Sequence, residues 1–258
     1  MSPHDLLLLL LRLCLVAAAV GGASLLARRG GHGLTGLIIG LPVIVAPITG
    51  LLLLEYPPTT VAAIALGALA CMPATLCHVL SFAWLSRRHP WPLCLATAVG
   101  AYILIGWLLS HLALPAWLIV GLALIVPPLA RRLMPAIPAG ARSASLPASE
   151  IVWRIAVALC IAAAILLGAP HLPPALSGLL LAFPIAGTVL PVFTLPRFGH
   201  PATVQLLRGF AGGMSGFAAF LASLALGLGH GVPSPLVWLG GLLLAGLIGL
   251  VQQRQRRS

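Results

Sequence analysis

Nine apolar runs, most of about 20 residues or more, follow one another along this chain and leave it one class of fold. A run of that length crosses the ~30 Å hydrocarbon core of a bilayer as one helix. The runs are continuous and lack the two-residue alternation of an outer-membrane barrel strand. With 60% hydrophobic and 7% charged residues the chain cannot cover a water-exposed surface, because a globular domain carries about 25% charged residues. The expected fold is all-α, a polytopic membrane bundle of about nine transmembrane helices. The spans are read at 6–27, 34–54, 59–86, 92–111, 115–130, 150–169, 175–195, 202–229 and 235–252. The first has the apolar run and small residues (Gly22-Ala23-Ser24) of a signal peptide, but Asp5 and no arginine precede it, so it is kept as a span.

The second constraint is a duplication. Leu34-Thr35-Gly36-Leu37-Ile38-Ile39-Gly40-Leu41-Pro42-Val43 returns 142 residues later as Leu176-Ser177-Gly178-Leu179-Leu180-Leu181-Ala182-Phe183-Pro184-Ile185. The same register pairs Arg12 with Arg154, Gly67 with Gly209, Met72 with Met214 and Ser81 with Ser223. Leucine and alanine matches mean little in so apolar a chain, but glycine, proline, arginine, serine and methionine in an ungapped register mark a repeat. The halves are 1–130 with five spans and 150–258 with four, joined by a polar linker at 131–149. Five spans precede the second copy, so spans 1 to 4 and 6 to 9 enter the bilayer in opposite directions, with span 5 as connector. Inverted repeats of this kind are a mark of secondary transporters.

All 14 basic residues are arginine, against three acids, for a net charge of +11. In a soluble chain this would suggest nucleic acid; here the arginines sit at span ends, as in cytoplasmic loops, and nucleic acid is set aside. Alternate connections carry Arg28-Arg29, Arg87-Arg88, Arg131-Arg132-Arg142, Arg197 and Arg254-Arg256-Arg257, while the intervening ones carry none. This places the N-terminus outside and the C-terminus in the cytoplasm of a cell inner membrane. Cys14, Cys71, Cys77, Cys94 and Cys160 lie in apolar runs without metal-ligand spacing and read as packing residues. No pattern implies a cofactor or a metal.

Pro42 and Pro184 stand near the middle of spans 2 and 7, where proline removes a backbone donor and breaks the helix. Freed carbonyls at membrane depth must face protein or a cavity, so paired broken helices point to a substrate site, although proline kinks also simply shape bundles. The hydroxyls available to such a path are Thr35, Thr49, Ser177, Thr188 and Thr194, and Arg208 is its candidate positive charge toward an anionic solute; snorkelling to the interface is the plainer account of Arg208 and of Arg12. Small residues at Gly67, Ala70, Cys71 and Ala74 in span 3, and at Gly209, Gly212, Gly213 and Gly216 in span 8, predict close helix packing. His78 in span 3 reads as a hydrogen-bonded helix histidine, with a titrating relay as the alternative. No carboxylate falls mid-span, which disfavours carboxylate-coupled antiport.

Gly213-Met214-Ser215-Gly216 matches the G-x-S-G string of rhomboid intramembrane proteases, but the only later histidine, His230, falls in a loop, and such a serine needs a base within hydrogen-bond reach. Gly178-Leu179 to Phe183-Pro184, followed by Arg208-Gly209 and a glycine-rich helix, resembles one unit of the GlpM-like small bacterial inner-membrane proteins. That resemblance implies a bacterial inner-membrane protein in duplicated form and brings no molecular function with it. The inverted halves are also similar in plan to drug/metabolite exporters, which have five plus five spans. The function expected is a small-solute permease with a site between the broken helices and no enzymatic activity; the alternatives are a non-transporting accessory protein of an envelope pathway and, more remotely, an intramembrane enzyme. Its expected partners are the lipid bilayer and a small solute, anionic if Arg208 lines its path, with a homo-oligomer left open.

Overall fold

The computed structural model describes residues 3–137, 148–168 and 182–254. Among them every regular element is helical: α1 (Pro3–Gly40), α2 (Val45–Glu55), α3 (Pro58–Ala70), α4 (Met72–Leu85), α5 (Trp91–Ser110), α6 (Ala116–Leu133), α7 (Ala148–Gly168), α8 (Ile185–Gly229) and α9 (Ser234–Arg254). Proline starts several of them: Pro58, Pro73 and Pro92 occupy first turns, where the missing N–H has no helical acceptor to lose. Pro57, Pro90 and Pro115 stand just before α3, α5 and α6 in extended conformation, which ends the preceding connection.

Six helical stretches among the described residues are long and apolar enough to cross a membrane: 31–55, 58–85, 91–110, 116–133, 185–229 and 234–254. Large apolar side chains cover the outside, among them Leu104 and Trp107 of α5, Trp117 and Ile125 of α6, and Leu243 and Leu247 of α9. An outer surface of this kind is consistent with an integral membrane protein that meets lipid. The nearly continuous α3 and α4 step at Cys71 and span 28 residues together. α8, with 45 residues, would extend about 68 Å if straight, more than twice a hydrocarbon core, and it bends instead.

The bend is at Gly199 (φ 73°, ψ −178°), and α1 bends at Gly31 (φ 77°, ψ 166°). Both conformations are open to glycine and strained for any residue with a Cβ. Each elbow is followed by histidine, and four residues on by a threonine whose hydroxyl donates to the glycine carbonyl: Thr35 to Gly31 and Thr203 to Gly199, both at 3.0 Å. The recurring strings are Gly31-His32-Gly33-Leu34-Thr35 and Gly199-His200-Pro201-Ala202-Thr203, outside the 142-residue register.

Four contacts gather the arginine-bearing turns at one end of the bundle. The Trp84 indole N–H donates to the Leu133 carbonyl at 2.9 Å, Ser86 Oγ pairs with His200 Nδ1 at 2.8 Å, and Arg208 donates to the Pro135 carbonyl at 2.9 Å. The His32 and Phe198 rings lie 4.9 Å apart, which brings the two elbows together.

α8 is the central helix and packs on α1, α3, α6 and α9. Its closest neighbour is the 31–40 limb of α1. A Cβ at Gly36 or Gly40 would overlap the main chain of Leu206 or Phe210, and one at Gly213 would overlap the Leu37 carbonyl. The small face expected on span 8 is therefore in use, at Gly213 and Gly216, against span 2 and α9. The matching face expected on span 3 is used in part: Ala74 is buried against Tyr102 with Cys71 beside it, whereas a Cβ at Gly67 would meet nothing within 4 Å. Gly178, whose register mate is Gly36, lies outside the described residues. Of the linker read at 131–149, Arg131 to Leu133 form the last turn of α6 and 138–147 lie outside the described residues.

Candidate functional site

Both proline breaks form as the sequence leads one to expect, and they form alike. Helix is lost from 41 to 44 after α1, and 182–184 precede α8 without helix. At the first break Val43 N–H donates to the Leu41 carbonyl at 2.8 Å and Ala46 N–H to the Pro42 carbonyl at 2.8 Å. At the second, Ile185 N–H donates to Phe183 and Thr188 N–H to Pro184, each at 2.9 Å. Every atom in the second pair of bonds stands 142 residues after its counterpart. The same local chemistry, a proline that cannot donate and a tight turn that reseats the next helix, has produced the same geometry twice.

A cavity of about 300 Å³ lies between the two breaks. Leu41, Ile44 and Val45 reach it from the first break and Phe183, Ala186 and Gly187 from the second, while Ala68, Met72 and Thr75 line it from α3 and α4 and Phe210, Met214 and Phe217 from α8. These twelve residues are six pairs, each separated by 142 in the sequence. Val20 of α1 and Ala162 of α7 make a seventh. Among the described residues the lining side chains are aliphatic, aromatic or thioether, with Thr75 the one hydroxyl. Such a wall favours apolar or amphipathic matter and offers an ion no compensation.

Of the residues expected to line a path, Pro184 does so. Pro42 is buried at the other break and is not part of the cavity wall. The threonines turn to their own helices instead. Thr35 bonds the Gly31 carbonyl, Thr49 the Ala46 carbonyl at 2.9 Å, Thr188 the Pro184 carbonyl at 3.0 Å and Thr194 the Leu190 carbonyl at 2.7 Å. A hydroxyl in a helix can satisfy itself on the preceding turn, so it need not face a cavity to be paired. Ser177 lies outside the described residues. Arg208 reaches the segment just after α6, where its Nη2 donates to the carbonyls of Met134 (3.3 Å) and Pro135 (2.9 Å).

Two polar groups behind the cavity wall carry interactions that the sequence did not show. His78 is fully buried, and its Nε2 lies 3.1 Å from Thr188 Oγ1. The same Thr188 oxygen lies 3.0 Å from the Pro184 carbonyl, so one hydroxyl joins the imidazole to the break. His78 thus ties α4 to the second break, and its ring stands edge-on to Phe183 and Tyr102 at 5.8 and 6.4 Å. This is the hydrogen-bonded helix histidine of the plainer reading, joined to the cavity wall through Phe183. Arg154, the register mate of Arg12, is 1% exposed inside α7, with Nη2 3.4 Å from Thr194 Oγ1 and its guanidinium 5.8 Å from the centre of the Phe193 ring. The Arg12–Arg154 register match was the only sequence signal for it.

Ser215, the serine of the G-x-S-G string, has a buried Oγ without a partner among the described residues. His230, at the C-cap of the same helix, is about 22 Å along the axis from it. Among the described residues no three His, Cys, Asp or Glu side chains converge as a metal site would require. No known protein family, curated protein or solved structure matches the chain.

Proposed function

We propose that the chain is a small-solute permease of the bacterial inner membrane, built as nine spans in an inverted repeat, with its substrate site in the cavity between the two proline breaks. The observation that carries this reading is the cavity itself, at about 300 Å³ near the lower end of the roughly 300–1,000 Å³ range of ligand pockets, with most of its wall made of residues in pairs 142 apart. An accessory protein has no need of a cavity there and would close the same kinks by packing.

The inverted repeat is supported by direction. The 31–55 stretch leaves the arginine-bearing end at the Gly31 elbow, whereas its repeat mate, beginning α8, arrives at that end at Phe198. Nine spans are reached by counting the limbs on either side of Gly31 and Gly199 separately, joining the second limb of α1 to α2 and α3 to α4. The arginine-bearing end is assigned to the cytoplasm by the positive-inside rule, which puts the N-terminus outside. The bacterial inner-membrane setting also follows the GlpM-like resemblance.

The described wall, apolar but for Thr75, favours a small apolar or amphipathic solute over the anion that Arg208 suggested. The test compares cells that produce the chain with cells that produce Ala68→Phe, whose ring enters the cavity. Small compounds in cell extracts and medium are measured by mass spectrometry. At least one compound should change with the chain and not with the filled variant at equal membrane abundance. If no compound separates the two, the accessory reading replaces this one.

A further inference from the structure

Arg131, near the end of α6, lies across Gly212 of α8: its Cδ and Nη1 are 3.6 and 3.7 Å from where a Cβ on Gly212 would stand. Gln252 of α9 reaches the same spot with its Oε1 at 3.5 Å. Arg208 is one helical turn before Gly212 on the same face of α8, so two guanidiniums and an amide from three helices meet around a residue without a side chain.

The cluster is incompletely satisfied. Arg208 uses Nη2 on the Met134 and Pro135 carbonyls, but its buried Nε has no partner among the described residues, and neither has the buried Oε1 of Gln252. Arg131 makes no hydrogen bond there among the described residues, and its charged neighbour is Arg208, of like sign. Glu55, whose side chain is the one described carboxylate, ends α2, while this cluster sits at the arginine-bearing end with Trp84 and Leu133.

We propose that Arg131 and Arg208 form a binding site for a phosphate group at the arginine-bearing face, with Gln252 turning its amide N–H toward the same oxygens. A phosphate monoester or diester matches the parts: guanidinium forks bind its oxygens in pairs, and its charge relieves the repulsion between two neighbouring cations. Basic pockets between transmembrane helices at this depth also meet the headgroups of anionic lipids. The group can come from a lipid headgroup or from a free phosphate, and the proposal is independent of the permease reading.

The test uses the full chain in neutral detergent, titrated with phosphatidylglycerol, phosphatidylcholine or inorganic phosphate, with adducts counted by native mass spectrometry. Phosphatidylglycerol should bind at least tenfold more tightly than phosphatidylcholine, and Arg131→Gln should abolish that preference without lowering the melting temperature. Competition by inorganic phosphate identifies a free anion as the occupant; its failure to compete identifies the lipid. Arg208→Gln should act in the same direction, and if it fails to fold, Arg131→Gln decides. Arg87→Gln, which removes an exposed arginine lying over Trp84, should change nothing. Equal binding of the two lipids with no phosphate binding, or an equal effect of Arg87→Gln and Arg131→Gln, overturns the proposal.

Discussion

Replacing Gly40 by alanine tests the crossing on which the bundle is assembled. The new methyl group would overlap the Phe210 carbonyl and stand 2.9 Å from Gly213 Cα and from Met214 N, all main-chain atoms of α8. A flexible side chain could step aside; a helix backbone moves only as a whole, and the Gly36 contact one turn away moves with it. Inserting a methyl into a filled core costs about 1–3 kcal/mol. The rigid neighbours put Gly40→Ala at the upper end, about 2–3 kcal/mol, or roughly 30- to 150-fold in the folding equilibrium. Gly67→Ala supplies the control. It adds the same atom to a helix where nothing lies within 4 Å, and exchanging a mid-helix glycine for alanine gains about 0.5–1 kcal/mol. Unfolding by increasing dodecyl sulfate in mixed micelles, followed by tryptophan fluorescence, should move the midpoint down for Gly40→Ala and leave it level or higher for Gly67→Ala. Equal midpoints for the two variants would refute the close crossing of α1 and α8.

Thr188→Val removes the hydrogen-bond partner of His78 Nε2 and leaves a buried ring nitrogen unpaired, so it should cost about 1–3 kcal/mol in the same assay. His78→Phe, which removes the other partner as well, should cost less in the Thr188→Val background than in the wild type; additive effects would show that the two groups do not interact. Reporter fusions after residues 30, 88, 140 and 258 should all read cytoplasm, and a periplasmic signal at any of them would remove the topology on which the inverted repeat depends.

What was legible in the sequence is what local chemistry alone decides. Proline at 42 and 184 breaks a helix wherever it stands, and the small residues of span 8 allow a close approach whichever partner arrives. The interactions that were not legible join distant positions or depend on a choice between partners. His78 and Thr188 meet across 110 residues, and Arg208 and Pro135 across 73. The threonines read as donors for a substrate path had acceptors already in hand, one turn back on their own helices. Gly67 and Gly213 look alike in the sequence, yet one faces open space and the other the main chain of α1, because the partner's own glycines decide where helices can touch. The elbows at Gly31 and Gly199 carried a readable sign, the recurring Gly-His-x-x-Thr, but it lies 168 residues apart and falls outside the register of the duplication.

Access to the cavity is the property that separates a permease from a packed scaffold, and Met72 and Met214 are the repeat-related residues on its wall through which to measure it. Each would be replaced singly by cysteine in an otherwise cysteine-free chain, reconstituted in sealed vesicles of known orientation. A small, membrane-impermeant thiol reagent would then be supplied from one side at a time. A permease exposes its site alternately, so both cysteines should react from both sides, and Ala68→Phe should slow all four reactions. Complete protection of both cysteines from both sides would contradict the permease reading and leave the chain an accessory protein of the membrane.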